Sequence, residues 1–140
     1  MGCCGFSRIF GLIAAIFVSI LIGVSAALLF VFTFLPLIMW IAGFMLAFAL
    51  IMLILLVVGF FSAASSGWDA LAKCLACYTC GILTGIIGII VSALIFIAYG
   101  GLPFFILSAI SVGFLFFFFS FLWLNLFFFI RCMIYRFCRC

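Results

Sequence analysis

Eight cysteines supply most of the reactive chemistry open to this chain. Cys3 and Cys4 stand at the start, Cys74, Cys77 and Cys80 near the middle, and Cys132, Cys138 and Cys140 at the end. Beside them are one acid, Asp69, five bases and no histidine. A thiol with no imidazole to activate it is a poor catalytic nucleophile. A single carboxylate has no second group for acid–base work. The chain is therefore expected not to be an enzyme and to carry no cofactor.

The thiols have three possible fates. Cysteine next to a membrane span, with basic and apolar neighbours, is a usual acceptor for S-acylation, and all eight fit that description. Gly2 adds a candidate for myristoylation, since Met1-Gly2-Cys3-Cys4 resembles the start of dually acylated proteins. Phe6 stands where that pattern wants Ser or Thr, with Ser7 one place late. The lipidation candidates are thus Gly2, Cys3, Cys4, Cys74, Cys77, Cys80, Cys132, Cys138 and Cys140. A second fate is metal ligation. Cys74-x2-Cys77-x2-Cys80 has the close spacing of thiolate ligands, but on a helix the three fan over about 120° and need a fourth ligand such as Cys132 or Cys138. No metal site is expected. The third is disulfide formation, which a reducing cytosol disfavours and which sequence cannot assign to pairs.

These residues hang on an apolar frame. The chain has 140 residues, of which 75% are hydrophobic and 4% charged, with a mean hydropathy of +1.90. Soluble domains carry about 25% charged residues. The composition excludes a soluble globular domain, a disordered tail and a nucleic-acid-binding module. It predicts an all-α integral membrane protein, because backbone groups in lipid must be paired within the segment. A transmembrane barrel needs alternating polarity, which is missing here.

Two apolar blocks, 9–61 and 81–130, are each long enough for two crossings of a core about 30 Å thick. The only prolines, Pro36 and Pro103, fall near their middles and punctuate them. Four transmembrane helices follow, at about 9–33, 36–61, 81–99 and 103–130, arranged as two Pro-turn hairpins in a single polytopic domain spanning 1–140. A loop over 62–80 joins the hairpins. Within it Ser66-Gly67-Trp68-Asp69 predicts a helix start at Gly67 that runs through Lys73 and the cysteines into the third span. Two intramembrane hairpins that dip and return are the rival arrangement.

Arg8, Lys73, Arg131, Arg136 and Arg139 all lie outside the apolar blocks, in regions that four crossings bring to one side. The positive-inside rule places both termini and the loop in the cytosol. A plasma membrane or endomembrane is expected, with an organellar inner membrane as the alternative.

Small residues recur at helical spacing. The first span carries Gly11, Ala15, Ser19, Gly23 and Ala27, and the third carries Gly81, Gly85, Gly88 and Ser92. In lipid, close backbone approach at such residues is the usual packing device, so these two spans are expected to make the closest contacts, with each other or with another subunit. Gly43 and Ala47 are a fainter echo in the second span. The fourth span is crowded with phenylalanine and Trp123, which cover lipid or neighbouring helices. Asn125 lies near the interface and is expected to hydrogen-bond across helices. The interiors of the spans hold no ionisable group, whereas transporters place such groups at midplane depth. The expected function is contact: an accessory or scaffold subunit of a larger membrane complex, or a self-associating organiser. Its partners would be lipid, other transmembrane subunits or copies of itself. The alternative is a pore-forming homo-oligomer.

Overall fold

A computed structural model describes residues 6–33, 38–66, 69–99 and 105–137. All of them are helical: α1 (Phe6–Thr33), α2 (Ile38–Ser66), α3 (Asp69–Tyr99) and α4 (Phe105–Phe137). With 28 to 33 residues each, they run about 42–50 Å at 1.5 Å per residue. Each contains a stretch long and apolar enough to cross a membrane: Ile9–Phe32, Ile38–Ser62, Cys74–Ala98 and Ile106–Tyr135. The third begins at Cys74 rather than at Gly81, because Cys74, Leu75, Ala76, Cys77 and Cys80 extend the apolar run. The helix start expected at Gly67 falls outside the described residues, as do Pro36 and Pro103; α2 continues through Ser66 and α3 begins at Asp69.

Which helix packs on which follows from where bulk meets its absence. A Cβ built on Gly11 would meet the Phe128 ring at 3.4 Å, and one on Gly23 would meet the Gly113 carbonyl oxygen at 2.7 Å. On α3, Gly81 faces Asn125, Gly85 faces Leu122 and Gly88 faces Phe118. Numbering rises along α1 and α3 as it falls along α4, so α4 is antiparallel to both and lies between them. The starts of α1 and α3 and the end of α4 therefore share one end of the bundle.

Sequence leaves the partner of the first and third spans open between each other and another subunit; within this chain both stripes pack on α4. The principal seams are α3 with α4, α1 with α4, and α2 with α3. Small residues open space on both helices for a neighbour, and α1 and α3 do not close that space on each other. The rings of α4 fill it instead, Phe128 over Gly11 and Phe118 over Gly88. At the far end Phe30 of α1 meets Phe96 of α3 edge-on, with centroids 6.3 Å apart.

The core is shared by all four helices. It joins Phe30, Ala42, Met45, Ala49, Ile86, Ile89, Ala93, Val112, Leu115 and Leu122. On α2 the buried stripe is Ile38, Ala42, Met45 and Ala49, whereas Gly43 and Ala47 are exposed. Phe48 carries α2 across to α4, stacking on Trp123 with centroids 5.7 Å apart and meeting Phe119 edge-on.

Candidate functional site

The register of the α3–α4 seam determines what stands at its end. Gly81 faces Asn125. Cys74 is seven residues before Gly81 and Cys132 seven after Asn125. Seven residues are close to two helical turns, so an antiparallel pair in this register brings Cys74 and Cys132 face to face. Their Cα atoms are 6.2 Å apart and the two are joined in a disulfide. Sequence alone predicts reduced thiols at this end of the molecule. It does not reveal the register that sets these two opposite each other. While the bond stands, Cys74 and Cys132 have no thiol to acylate.

Cys74 is 1% exposed; Cys132 is half-buried, and Arg131 beside it is exposed. Cys77, one turn further along α3, is half-buried, and Cys80 is exposed. Both carry thiols outside the disulfide. Thr79 donates a hydrogen bond to the carbonyl of Leu75, and Thr84 to that of Cys80 at 2.8 Å. These bonds keep both threonine hydroxyls within their own helix. Gly2, Cys3, Cys4, Cys138 and Cys140 lie outside the described residues. No group of three metal-ligating side chains is assembled among the described residues.

Asn125 is buried at this end. Its amide donates to the carbonyl of Phe121 at 2.8 Å, one turn back in its own helix. The expected bond across helices is replaced by a close approach: the space a side chain at Gly81 would need holds the Asn125 carboxamide. A glycine at that position is therefore required by the neighbour rather than by the backbone.

The small-residue stripes lie as follows. Ala15 and Ser19 are buried on α1, with Gly23 between α1 and α4, and Gly11 and Ala27 are half-buried. On α3, Gly85, Gly88 and Ser92 are buried and Gly81 is half-buried. Ser19 is completely buried and its hydroxyl oxygen has no hydrogen-bond partner. Ser25 and Ser111, by contrast, bond back to Leu21 and Leu107 at 2.8 and 2.9 Å.

Two apolar grooves flank α4. One, of about 330 Å³, runs between α1 and α4 past Gly23, Ala27, Gly113 and Phe117. The other, of about 360 Å³, lies along α3 at Thr84, Gly88, Ser92 and Phe118. The sulfur groups among the described residues are the Cys74–Cys132 disulfide and the thiols of Cys77 and Cys80. No protein-family model matches the chain, and no curated protein or solved structure matches it either.

Proposed function

We propose that this protein acts by helix contact within a membrane, as an accessory or scaffold subunit of a larger assembly or as a self-associating organiser. The supporting observation is the character of the interior. The buried polar side chains among the described residues are Ser19, Ser92, Ser108, Ser111 and Asn125. Serine and asparagine hold helices together in lipid; proton and ion relays are built from titratable groups. The outer faces of α1 and α2 present Phe10, Phe17, Phe32, Trp40, Phe44 and Phe61, a surface suited to lipid or to further helices.

The end that carries the cysteines also carries the bases, so by the positive-inside rule it faces the cytosol with both termini. There the thiols outside the disulfide accept acyl chains. The protein needs no such anchor, since each buried methylene adds only about 0.8 kcal/mol to an insertion already permanent. Acyl chains would instead hold the tails against one leaflet or sort the protein among membranes by thickness.

Purification in mild detergent, with mass spectrometry of partners and of cysteine adducts, tests this. Other membrane chains in fixed ratio, or a defined homo-oligomer that is silent in a planar bilayer, is the expected result. A symmetric ring that raises bilayer conductance would replace the reading with a pore. Unmodified mass at every thiol would end the acylation part. Labelling of the exposed Cys80 by an impermeant reagent from the outer side of sealed cells would reverse the topology.

A further inference from the structure

We propose that the Cys74–Cys132 disulfide is a redox-operated clamp on one end of the α3–α4 seam, closed by oxidation and opened by thiol exchange at Cys132. This goes beyond the contact role and holds whichever side of the membrane this end faces.

Three observations carry it. First, the bond sits at the end of a seam that has other fastenings. Gly81, Gly85 and Gly88 each bring α3 against α4 beyond it, and the core continues through Ile86, Ile89 and Leu122. Opening the bond therefore releases the end of the seam and leaves the bundle assembled. Second, the two sulfurs are unequally protected. Cys74 is sealed at 1% exposure, while Cys132 is half-buried beside the exposed Arg131. Exchange rates depend on which sulfur a thiolate can reach. Attack at Cys132 is the open route. Third, the bond ties the basic end of the bundle, with Lys73 just before one cysteine and Arg131 just before the other.

The step balances as ordinary thiol–disulfide exchange. The thiolate of a monothiol such as glutathione attacks Cys132 Sγ, the Cys74–Cys132 bond breaks, and the electron pair leaves on Cys74 Sγ, which takes a proton. A second thiolate attacks the mixed disulfide, releasing Cys132 as its thiolate and forming the disulfide of the monothiol. Two electrons enter the protein. Closure is the reverse, with the disulfide of the same monothiol as oxidant.

The sequence supplies its own assay. Trypsin cleaves after Lys73, Arg131 and Arg136, so Cys132–Arg136 stays attached to residues 74–131 through the disulfide alone. The full chain in lipid nanodiscs would be equilibrated with reduced and oxidised glutathione in graded ratios, alkylated, and digested. The attached peptide should rise and fall reversibly with the ratio. Hydrogen exchange in the same samples should quicken about tenfold at 69–80 and 126–137 on opening, with 82–96 unchanged, since local opening is confined to the released ends. Cys132→Ser should show the open-state exchange in every buffer, and Cys80→Ser should titrate like the parent. Absence of the attached peptide under every oxidising ratio would overturn the proposal. So would a bond that opens only after denaturation, or an opening that leaves exchange at both ends unchanged.

Discussion

The two seams on α4 use the same device with different tolerances. Along α3, glycines meet mainly side chains: a carboxamide at Gly81, a ring at Gly88, and at Gly85 the Leu122 side chain together with its Cα. Along α1, Gly23 meets the backbone of α4 itself, at the Gly113 carbonyl, and an open groove of about 330 Å³ runs beside the contact. The most apolar stretches of α3 and α4 are each 44% buried, against 17% for α1 and for α2. The α3–α4 pair is thus a wide seam whose fillers can move. The α1–α4 pair is a narrow one whose closest point cannot. Width and slack are separate properties, and single substitutions distinguish them.

The largest effect is expected at the narrow point. Gly23→Leu puts a side chain against the α4 main chain, and overpacking of this kind costs about 3 kcal/mol. Ile22→Leu, on the exposed side of the same turn, should leave stability unchanged. Unfolding in mixed micelles by graded addition of dodecyl sulfate measures both, and equal midpoints would remove the distinction between the seams. Gly88→Ala should cost less, about 1 kcal/mol. Its new methyl collides with the Phe118 ring, Cγ included, so the whole side chain must swing, and an adjoining groove of about 360 Å³ lined by that ring gives it room. A loss as large as that of Gly23→Leu would show that the wide seam has no slack.

Ser19→Ala should have the opposite sign. It removes a buried hydroxyl that has no partner, so stability should rise by up to about 1 kcal/mol. A fall would mean that the hydroxyl is paired in the membrane. Gly43→Ala should have the smallest effect, within about 0.5 kcal/mol. A methyl there meets nothing within 4 Å. A marked loss from Gly43→Ala that grows with protein concentration would place a second copy or partner on that face of α2.

The sequence made the four helices legible because length and polarity alone decide them in lipid. It also showed the α1 and α3 stripes, since four-residue spacing aligns small side chains on one face. It did not show what those stripes face. An all-apolar helix has no polar side to orient it, and α4, with rings all around, offered the same face to every neighbour. The fit of Phe128 over Gly11 and Phe118 over Gly88 appears only once the register is known. The same is true of Cys74 and Cys132, whose pairing is two turns of that register. On α2, small residues occur on both faces, so Gly43 and Ala47 could not be told from the buried Ala42 and Ala49.

The helix to which both stripes are fitted, α4, is made after α1, α2 and α3. Synthesis runs at about 5–20 residues per second. Gly23 therefore waits on the order of ten seconds in the bilayer before Gly113, its counterpart on α4, has been polymerised. During that interval α1 has little more than the Phe30 contact with Phe96 of α3, and α3 has α2 as its main neighbour. A chain interrupted before α4 would leave two glycine-lined helices open to whatever else the membrane offers, including the same helices of other nascent copies. The order of the chain thus makes completion of α4 the event that commits the three helices before it.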